Sequence, residues 1–309
     1  MKYLVVGPTI INDIIFADQS RKDQVLGGSI FCVAGIKLWC DDCLYLSNVG
    51  EDFDRFYGDW MRANGCSTAG LRYILPHTWY TTLTYGDQGL HSEVSIYGLE
   101  EEALLETLDT IDPAHIAAHC GEDTRGIYVE ASEADLLWDR LDEVRAGGKQ
   151  AKFMWEIPTS ATMDPARAPK VLETIRKVDI YSLNLPEAMS LFQADGEEAA
   201  IRAILELGTP CFFRVGKRGS YMIQNGKATF EPSLTVGPIV DATGCGNVST
   251  AAALFGWCEG FPPQVTARLA NISAAYNLLQ YGPYPAATKQ VREEAMGLLN
   301  AGITADSAK

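Results

Sequence analysis

Positive charge is scarce in this chain of 309 residues, since 25 Lys and Arg stand against 40 Asp and Glu and the formal net charge is −15. An acidic surface repels phosphate backbones and anionic lipids, so we expect neither nucleic acid nor a membrane as a partner. No apolar run approaches the roughly 18 residues of a membrane span. Met1 to Gly7 is too short and too soon broken to be a signal peptide. We therefore expect a cytoplasmic protein.

Disulfide and metal patterns are weak. The eight cysteines are scattered through the chain, which favours free thiols in a reducing compartment. Cys40 and Cys43 form a lone CxxC without a second pair. His115 and His119 have the spacing of one helix face but no clear third ligand. Surface or capping roles are favoured for both pairs.

Two familiar phosphate-binding motifs are missing. Gly216-Lys217 is followed by Arg218, so there is no GxxxxGK[ST] loop, and no HRD or DFG set occurs. These absences exclude P-loop nucleotide hydrolases and protein kinases. Hydrophobic residues make up 47 % of the chain, enough to build a sizeable core.

Short apolar strands alternate with helices along most of the chain, which predicts a parallel α/β sheet. Strands are predicted at 3–7, 44–49, 116–119, 126–129, 152–156, 180–183 and 211–215, with a hairpin starting at 221–223. Helices are predicted at 30–39, 132–145, 165–177, 197–207, 246–257 and 263–279. The small, polar stretch after Asn300 is predicted to be frayed.

Residues 71–98 have a different composition, rich in aromatic and β-branched side chains. Gly86-Asp87-Gln88-Gly89 separates two of its apolar runs in the manner of a hairpin turn. The segment shows no helical periodicity. It predicts a small β-sheet that projects from the main domain.

Gly244-Cys245-Gly246-Asn247 precedes a helix of small residues. Two glycines allow a sharp turn that exposes successive amides at the positive end of the helix. Such a turn can hold a phosphate and the charge of phosphoryl transfer. The alternative is that the glycines only allow close packing.

Two further groups of polar residues follow predicted strands. Asn184 and Glu187 stand three apart at a helix start, where they can orient Mg²⁺-bound waters or simply cap the helix. Arg214 to Ser220 groups three cations with two glycines, as a nucleotide-facing loop or a surface turn does. Because ligands bind outside the carboxyl ends of parallel strands, we expect these groups to form one site with the Gly244 turn.

Together these motifs resemble those of the ribokinase-like (PfkB) carbohydrate kinases over residues 3 to 285. Gly27-Gly28 and 49–52 match the N-terminal signature, and Asp241 to Asn247 corresponds to the C-terminal signature DTxGAGD. The resemblance implies one domain over 1–309, a three-layer α/β sandwich with a mainly parallel central sheet. It also implies a β-sheet lid formed by 12–24 and 71–98, through which many relatives form homodimers.

The resemblance further implies phosphorylation of a sugar, a sugar-like alcohol or a nucleoside with ATP, Mg²⁺ and a K⁺ ion. It places the acceptor against Asn12, Asp13, Gly27, Gly28, Ser29 and Cys32. It places the nucleotide against Asn184, Arg214, Gly216, Lys217, Gly219 and Asn271. It assigns phosphoryl transfer to four residues, Gly244, Cys245, Gly246 and Asn247. It also implies that Glu187 binds Mg²⁺ through water and that Asp241 binds a monovalent cation.

The sequence departs from this pattern at the residue that takes the proton from the acceptor hydroxyl. The family has Asp there and this chain has Asn247, whose amide is a very poor base. Losing a general base costs about 10²–10⁴ in rate. One hypothesis is a working kinase in which Asp241 or Asp13 compensates. The other is a catalytically silent protein that binds a sugar or nucleotide as a sensor or partner. The intact magnesium and nucleotide motifs favour the kinase.

The residues expected near the acceptor also depart from the family pattern. Cys32 stands where many relatives have Asn. The family's DxN stretch is replaced around Trp155, which can stack on a ring or pack in the core. These changes affect the expected identity of the acceptor rather than the fold.

Overall fold

The computed structural model describes residues 1–86 and 91–307. Its strands are β1 (Tyr3–Val6), β2 (Thr9–Ile15), β3 (Arg21–Gly28), β4 (Cys43–Gly50), β5 (Leu71–Leu75), β6 (Trp79–Tyr85), β7 (His91–Ser95), β8 (Gly126–Glu130), β9 (Lys152–Glu156), β10 (Ile180–Asn184), β11 (Cys211–Arg214), β12 (Gly219–Gln224) and β13 (Lys227–Pro232). Its helices are α1 (Ile30–Lys37), α2 (Phe53–Ala63), α3 (Leu99–Leu108), α4 (Pro113–His119), α5 (Leu141–Gly147), α6 (Thr159–Met163), α7 (Ala168–Ile175), α8 (Leu185–Phe192), α9 (Glu197–Leu207), α10 (Cys245–Cys258), α11 (Pro263–Asn277) and α12 (Lys289–Ser307).

A nine-stranded sheet in the order β13-β12-β11-β10-β9-β8-β1-β4-β5 forms the centre of the fold. Seven strands run parallel, and β12 and β13 close one edge as an antiparallel hairpin. Side chains of β1 alternate between two cores, with Tyr3 and Val5 on one face and Leu4 and Val6 on the other. Helices cover both faces, which confirms the predicted α/β sandwich with a mainly parallel sheet. Burial on both faces explains why β1 is apolar at every position.

A second sheet of four strands, in the order β3-β2-β6-β7, takes its strands from 9–28, 79–85 and 91–95. The prediction that Leu71–Ile74 belongs to this small sheet is wrong, because β5 pairs in parallel with β4 at the edge of the central sheet. An aromatic and β-branched composition suits an edge strand of either sheet, so composition did not distinguish them. β6 and β7 pair antiparallel. Most of the predicted turn between them, from Asp87 to Gly89, lies outside the described residues.

Three predictions of local structure are wrong. Residues 116–119 form the end of helix α4 rather than a strand, because Asp112 caps the backbone N–H of Ala114 at 3.0 Å and Pro113 opens the first turn. The predicted helix 132–145 is a short 3-10 turn, Leu136–Asp139, followed by α5. Residues 301–307 continue helix α12, which packs through Ala295 and Leu299 against the core.

The eight cysteines, all within the described ranges, are free thiols. His115 and His119 lie on α4, where their ring nitrogens approach the carbonyl oxygens of Gly70 at 3.0 Å and Ala69 at 3.2 Å. Among residues 1–86 and 91–307, no group of three or more His, Cys, Asp or Glu is arranged to hold a metal. In the same part of the chain, no helix has the length and apolar character to cross a membrane.

Candidate active site

A row of polar side chains lies along the carboxyl edge of the central sheet. Glu130, Glu156, Asn184 and Arg214 are the last residues of the neighbouring parallel strands β8, β9, β10 and β11. Glu130 is the register partner of Glu156, and Asn184 that of Arg214. The carboxyl edge of an open parallel sheet is where ligands bind, so this row marks the candidate site.

The N-terminus of α10 lies against this row. Gly244 is the N-cap residue at φ +77°, a conformation that favours glycine. A Cβ added at Gly246 would lie 2.1 Å from Nη1 of Arg214, so glycine is required for the guanidinium to approach the first turn. The predicted convergence of the Arg214 loop with the Gly244 turn is therefore seen in the structure. Backbone amides and an arginine together make a strongly anion-attracting corner.

Arg214 lies between two carboxylates with its side chain 14% exposed. Its Nη2 lies 2.5 Å from Oε1 of Glu156 and 3.7 Å from Oε2 of Glu187. Within residues 1–86 and 91–307, Arg214 Nε and Glu156 Oε2 are buried without a hydrogen-bond partner. Buried polar atoms usually have partners. The unpaired donor fits a phosphate oxygen, and the unpaired acceptor fits a metal-bound water.

Asn184 and Glu187 form a capping box at the start of α8. Asn184 Oδ1 accepts from the Glu187 N–H at 3.0 Å, and Glu187 Oε2 accepts from the Asn184 N–H at 2.7 Å. Glu187 Oε1 accepts from the Thr159 hydroxyl at 2.7 Å. The capping alternative is thus correct. The box also fixes a buried carboxylate beside Arg214, so capping does not exclude a ligand role.

Glu130 connects the sheet edge, α10 and the start of α1. Its Oε2 accepts from Ser29 Oγ at 2.7 Å and from Asn247 Nδ2 at 3.2 Å. Asn247 Nδ2 also lies 3.4 Å from the hydroxyl of Tyr128. Burial raises the pKa of Glu130 to about 7, the Ser29 hydrogen bond opposes the rise, and neighbouring Glu156 adds to it.

Two residues predicted near the acceptor lie in the interior. Cys32 is fully buried against Tyr128 and Asn247, and burial raises the pKa of its thiol well above the usual value. Trp155 is fully buried, donates to the carbonyl oxygen of Ala131 at 3.0 Å and packs in the core. The core-packing alternative for Trp155 is therefore the correct one, and Cys32 lies behind the site rather than on its surface.

Three residues predicted to bind the acceptor, Asn12, Gly27 and Gly28, are packed within the small sheet. Asn12 Oδ1 accepts from the Thr81 hydroxyl at 2.8 Å, and a Cβ at Gly27 would lie 2.1 Å from Asn12 Nδ2. Gly28 has φ +69°, where a Cβ would meet the Pro8 carbonyl oxygen at 2.3 Å.

Asp13 is similarly enclosed within the small sheet. It accepts from Tyr80 at 2.8 Å, from the Gln24 N–H at 2.9 Å and from Arg21 at 2.7 Å. These contacts occupy the carboxylate that the sequence offered as a substitute base.

The predicted nucleotide loop lies beside β12. Gly216 to Arg218 form a 3-10 turn, in which Gly216 has φ +64° and the Lys217 side chain is exposed. Gly219 has φ +132°, and a Cβ there would meet the Glu231 carbonyl oxygen at 2.2 Å. The loop thus presents the exposed Lys217 next to the Arg214 corner, whereas Arg218, also exposed, pairs with Glu197.

Asn271 on α11 is buried and joins that helix to the β12–β13 hairpin. Its Oδ1 accepts from Ser220 Oγ at 2.8 Å, and its Nδ2 donates to the carbonyl oxygens of Glu231 at 3.0 Å and Pro232 at 3.1 Å. These bonds occupy the amide within the protein, and its role toward adenine stays a prediction.

Asp241 and Asn277 enclose a second group of polar atoms at the base of α10. Asp241 Oδ1 accepts from the N–H and hydroxyl of Thr243 at 3.0 and 2.9 Å, and Asn277 Nδ2 donates to the Thr243 carbonyl oxygen at 2.8 Å. In the described part of the chain, Asp241 Oδ2 and Asn277 Oδ1 are buried acceptors without a donor. The Thr243 hydroxyl lies 2.7 Å from that of Tyr85 in the small sheet, so this turn also contacts the predicted lid.

A cleft of about 700 Å³ lies between the small sheet and the carboxyl edge of the central sheet. Ile10, Trp79 and Thr81 line it from the small sheet, and Glu130 lines it from β8. Among the described residues, its acidic side chains are Glu93, Glu102, Glu106, Asp109, Asp112, Glu130 and Asp135. Of its two arginines, Arg167 is paired with Glu133 at 2.6 Å and Arg72 lies 3.7 Å from Asp112. The cleft therefore has a strongly negative lining.

Glu130 and Glu156 were not among the sequence-predicted site residues. Each is the last residue of a strand whose preceding residues are mainly apolar. Asn184 and Arg214 were singled out because ligands bind at the carboxyl ends of parallel strands. The same rule applies to Glu130 and Glu156 and could have identified them from the sequence.

The fold has close structural counterparts. A probable sugar kinase from Rhizobium etli CFN 42 superposes with a TM-score of 0.74 at 19% identity, covering 96% of this chain and 98% of that one. A putative ribokinase II from E. coli in complex with ATP and Mg²⁺ gives 0.72 at 18%, covering 97% and 99%. The nucleoside kinase of Burkholderia thailandensis in complex with inosine gives 0.73 at 17%, covering 97% and 96%.

These likenesses define a ribokinase-like α/β fold. The chain belongs to the pfkB family of carbohydrate kinases, whose sequence model matches residues 4–290. No curated protein matches the chain at a significant level.

Proposed function

We propose that the protein transfers the γ-phosphoryl group of ATP to a hydroxyl of a sugar, a sugar-like alcohol or a nucleoside. The observation that carries this proposal is the approach of Arg214 to Gly246 at the N-terminus of α10, beside a cleft of about 700 Å³. Phosphoryl transfer depends mainly on positioning and on stabilising charge, and this corner supplies both. The family match and the ATP and inosine complexes of the two relatives support the same activity.

Two kinds of ion fit the site. Magnesium would neutralise phosphate charge, with Glu187 and the unpaired Oε2 of Glu156 accepting from its bound waters. A monovalent cation such as K⁺ fits the two buried acceptor oxygens of Asp241 and Asn277. The exposed Lys217 adds positive charge near the nucleotide.

The direct test is release of ADP from ATP and Mg²⁺ across a panel of sugars, polyols and nucleosides. We expect at least one acceptor to raise ADP release well above the rate with water alone, with a phosphorylated product seen by mass spectrometry. Tight ATP binding with no phosphorylated product from any acceptor would overturn the proposal. That outcome would favour a catalytically silent protein that binds a sugar or nucleotide, a hypothesis supported by the Asn at position 247.

The negative lining of the cleft predicts a neutral or cationic acceptor. A phosphorylated acceptor would bring a dianion toward seven carboxylates and two paired arginines. We expect kcat/KM for each active acceptor to exceed that of its phosphate ester by at least about tenfold, a difference of about 1.4 kcal/mol. Matched pairs such as ribose and ribose 5-phosphate, or glucosamine and its 6-phosphate, measure this preference. Equal rates within the pairs would contradict it.

We also propose that the small sheet is a lid and that it can pair two copies of the chain. Val94 in β7 is 61% exposed and Leu99, just beyond it, is 82% exposed. Exposed apolar side chains of this kind are commonly covered in an assembly.

A further inference from the structure

The carboxylate missing at position 247 has a neighbour that can replace it. We propose that Glu130 is the proton acceptor for the hydroxyl that is phosphorylated, an inference that rests on the proposed kinase activity. The base would thereby have moved from the N-terminus of α10 to the carboxyl end of β8.

The position of Glu130 meets the geometric requirements for this role. It lines the cleft proposed for the acceptor. Its Oε2 is 3.2 Å from Nδ2 of Asn247, so it lies next to the first turn of α10, where the transferred phosphoryl group is expected. A general base must reach both the acceptor hydroxyl and the reacting phosphate. Of the two other carboxylates considered, Asp13 is paired with Arg21 within the small sheet. Asp241 is bonded to Thr243 through Oδ1, and its buried Oδ2 belongs to the site proposed for a monovalent cation.

The surroundings of Glu130 also suit a base that works near neutral pH. Burial raises its pKa to about 7, with further increases from Glu156 on β9 and Glu93 on β7. The Ser29 hydroxyl and the Arg214 guanidinium oppose this rise. Cys32 and Tyr128, which also lie close, are held neutral by burial because it raises the pKa of each well above its usual value. A base with a pKa near the working pH transfers protons most effectively.

The chemical step is balanced without another reagent. The acceptor oxygen forms a bond to the γ-phosphorus of ATP, and the bond from that phosphorus to the bridging oxygen breaks with its electron pair remaining on ADP. The hydroxyl proton passes to the Glu130 carboxylate, which then loses it to solvent. Because phosphoryl transfer depends mainly on positioning and on stabilising charge, proton transfer is the smaller contribution to the rate.

Asn247 acquires a defined task in this arrangement. Its N–H donates to the Glu130 oxygen and holds that carboxylate in place. An Asp at the same position would bring a second carboxylate to about 3 Å from the first, and two carboxylates so close share one proton. Asn247 therefore keeps Glu130 free to ionise.

The experiment is a set of four proteins assayed for kcat, KM and pH profile on the best acceptor: wild type, Glu130→Gln, Asn247→Asp and the double variant. Glu130→Gln is expected to lower kcat by about 10²–10⁴ while leaving the KM for ATP within about threefold. The double variant regains at least about tenfold over Glu130→Gln because it restores a carboxylate at the site. The surface variant Glu143→Gln, whose carboxylate pairs with exposed Arg140, is the control and keeps the wild-type rate.

The pH profile separates a base from a merely structural residue. Wild-type kcat is expected to fall as the pH drops below about 7, because protonated Glu130 cannot accept the proton. Glu130→Gln loses this acid limb, and Asn247→Asp moves it to higher pH. Thermal unfolding and ATP binding of each variant show whether it is folded.

The outcomes distinguish the two proposals. If wild type phosphorylates an acceptor and folded Glu130→Gln retains kcat within about threefold, the assignment of Glu130 is wrong and the kinase stands. If Glu130→Gln is slow but keeps the wild-type acid limb, or is not rescued by Asn247→Asp, Glu130 is structural rather than the base. If wild type phosphorylates nothing, both proposals fail together.

Discussion

Replacing Arg214 with Met is expected to lower the free energy of unfolding by about 3–5 kcal/mol. Met keeps an apolar side chain of similar length but removes the charge between Glu156 and Glu187, whose side chains are only 9% and 4% exposed. Two buried carboxylates are then left without their common partner, which is the costly way to break an ion pair. Urea unfolding followed by circular dichroism measures the loss, and ATP binding is expected to weaken in parallel because the anion-attracting corner is gone.

Arg218→Met in the same loop is the matched control. Arg218 is 53% exposed and pairs with Glu197. Exposed pairs contribute about 0–1 kcal/mol, so this variant should unfold nearly as wild type does. Equal losses in the two variants would mean that Arg214 contributes no more than a surface pair.

The loss of unfolding free energy caused by Arg214→Met should also depend on pH. Burial and Glu187 raise the pKa of Glu156, whereas Arg214 lowers it, so removing the arginine raises that pKa further. A carboxyl whose pKa is higher in the folded state than in the unfolded state favours folding at low pH and loses that contribution as the pH rises. We therefore expect a larger loss at about pH 8 than at about pH 5.5. A loss that does not change with pH would indicate that packing, not charge, is responsible.

The regular parts of the fold were predictable from the sequence because local patterns determine them. β1 is buried on both faces and apolar throughout, and α9 spans Glu197–Leu207 as its periodicity predicts. The structure of residues 116–119 was not predictable from apolar content alone, since three apolar or small residues followed by a histidine suit a strand or a helix end. The start of α4 is instead determined by the cap at Asp112, three residues before the first histidine.

The site was predictable only in part because sheet order decides which strand ends meet. Asn184 and Arg214 were expected to converge, and their strands are neighbours in register. Glu130 follows an ordinary strand far away along the chain, and its contact with Asn247 joins residues 117 positions apart. Nothing local to either residue reveals that contact. Asp13 was offered by the sequence as a substitute base, but it is bonded within the small sheet to Arg21 and Tyr80.

Gly244→Ala is expected to lower the free energy of unfolding by about 2–5 kcal/mol. Gly244 has φ +77°, and a left-handed conformation costs an L-residue about 1–2 kcal/mol. Its Cβ would also lie 2.4 Å from the ring of Phe31, which is buried at 2% exposure. Overpacking of this kind costs about 1–3 kcal/mol more. Because Gly244 caps α10, the displacement should also reduce ATP binding.

Gly260→Ala separates the two causes. Gly260 has φ +76°, nearly the same as Gly244, but a Cβ there would meet nothing within 4 Å. Gly260→Ala should therefore lower the free energy of unfolding only by the conformational cost of about 1–2 kcal/mol, and it should leave ATP binding unchanged. Phe31→Leu combined with Gly244→Ala should recover part of the difference, since the smaller side chain can give way. If Gly244→Ala and Gly260→Ala unfold alike, then the contact with Phe31 does not constrain the N-terminus of α10, and the glycine at 244 is needed only for its backbone conformation.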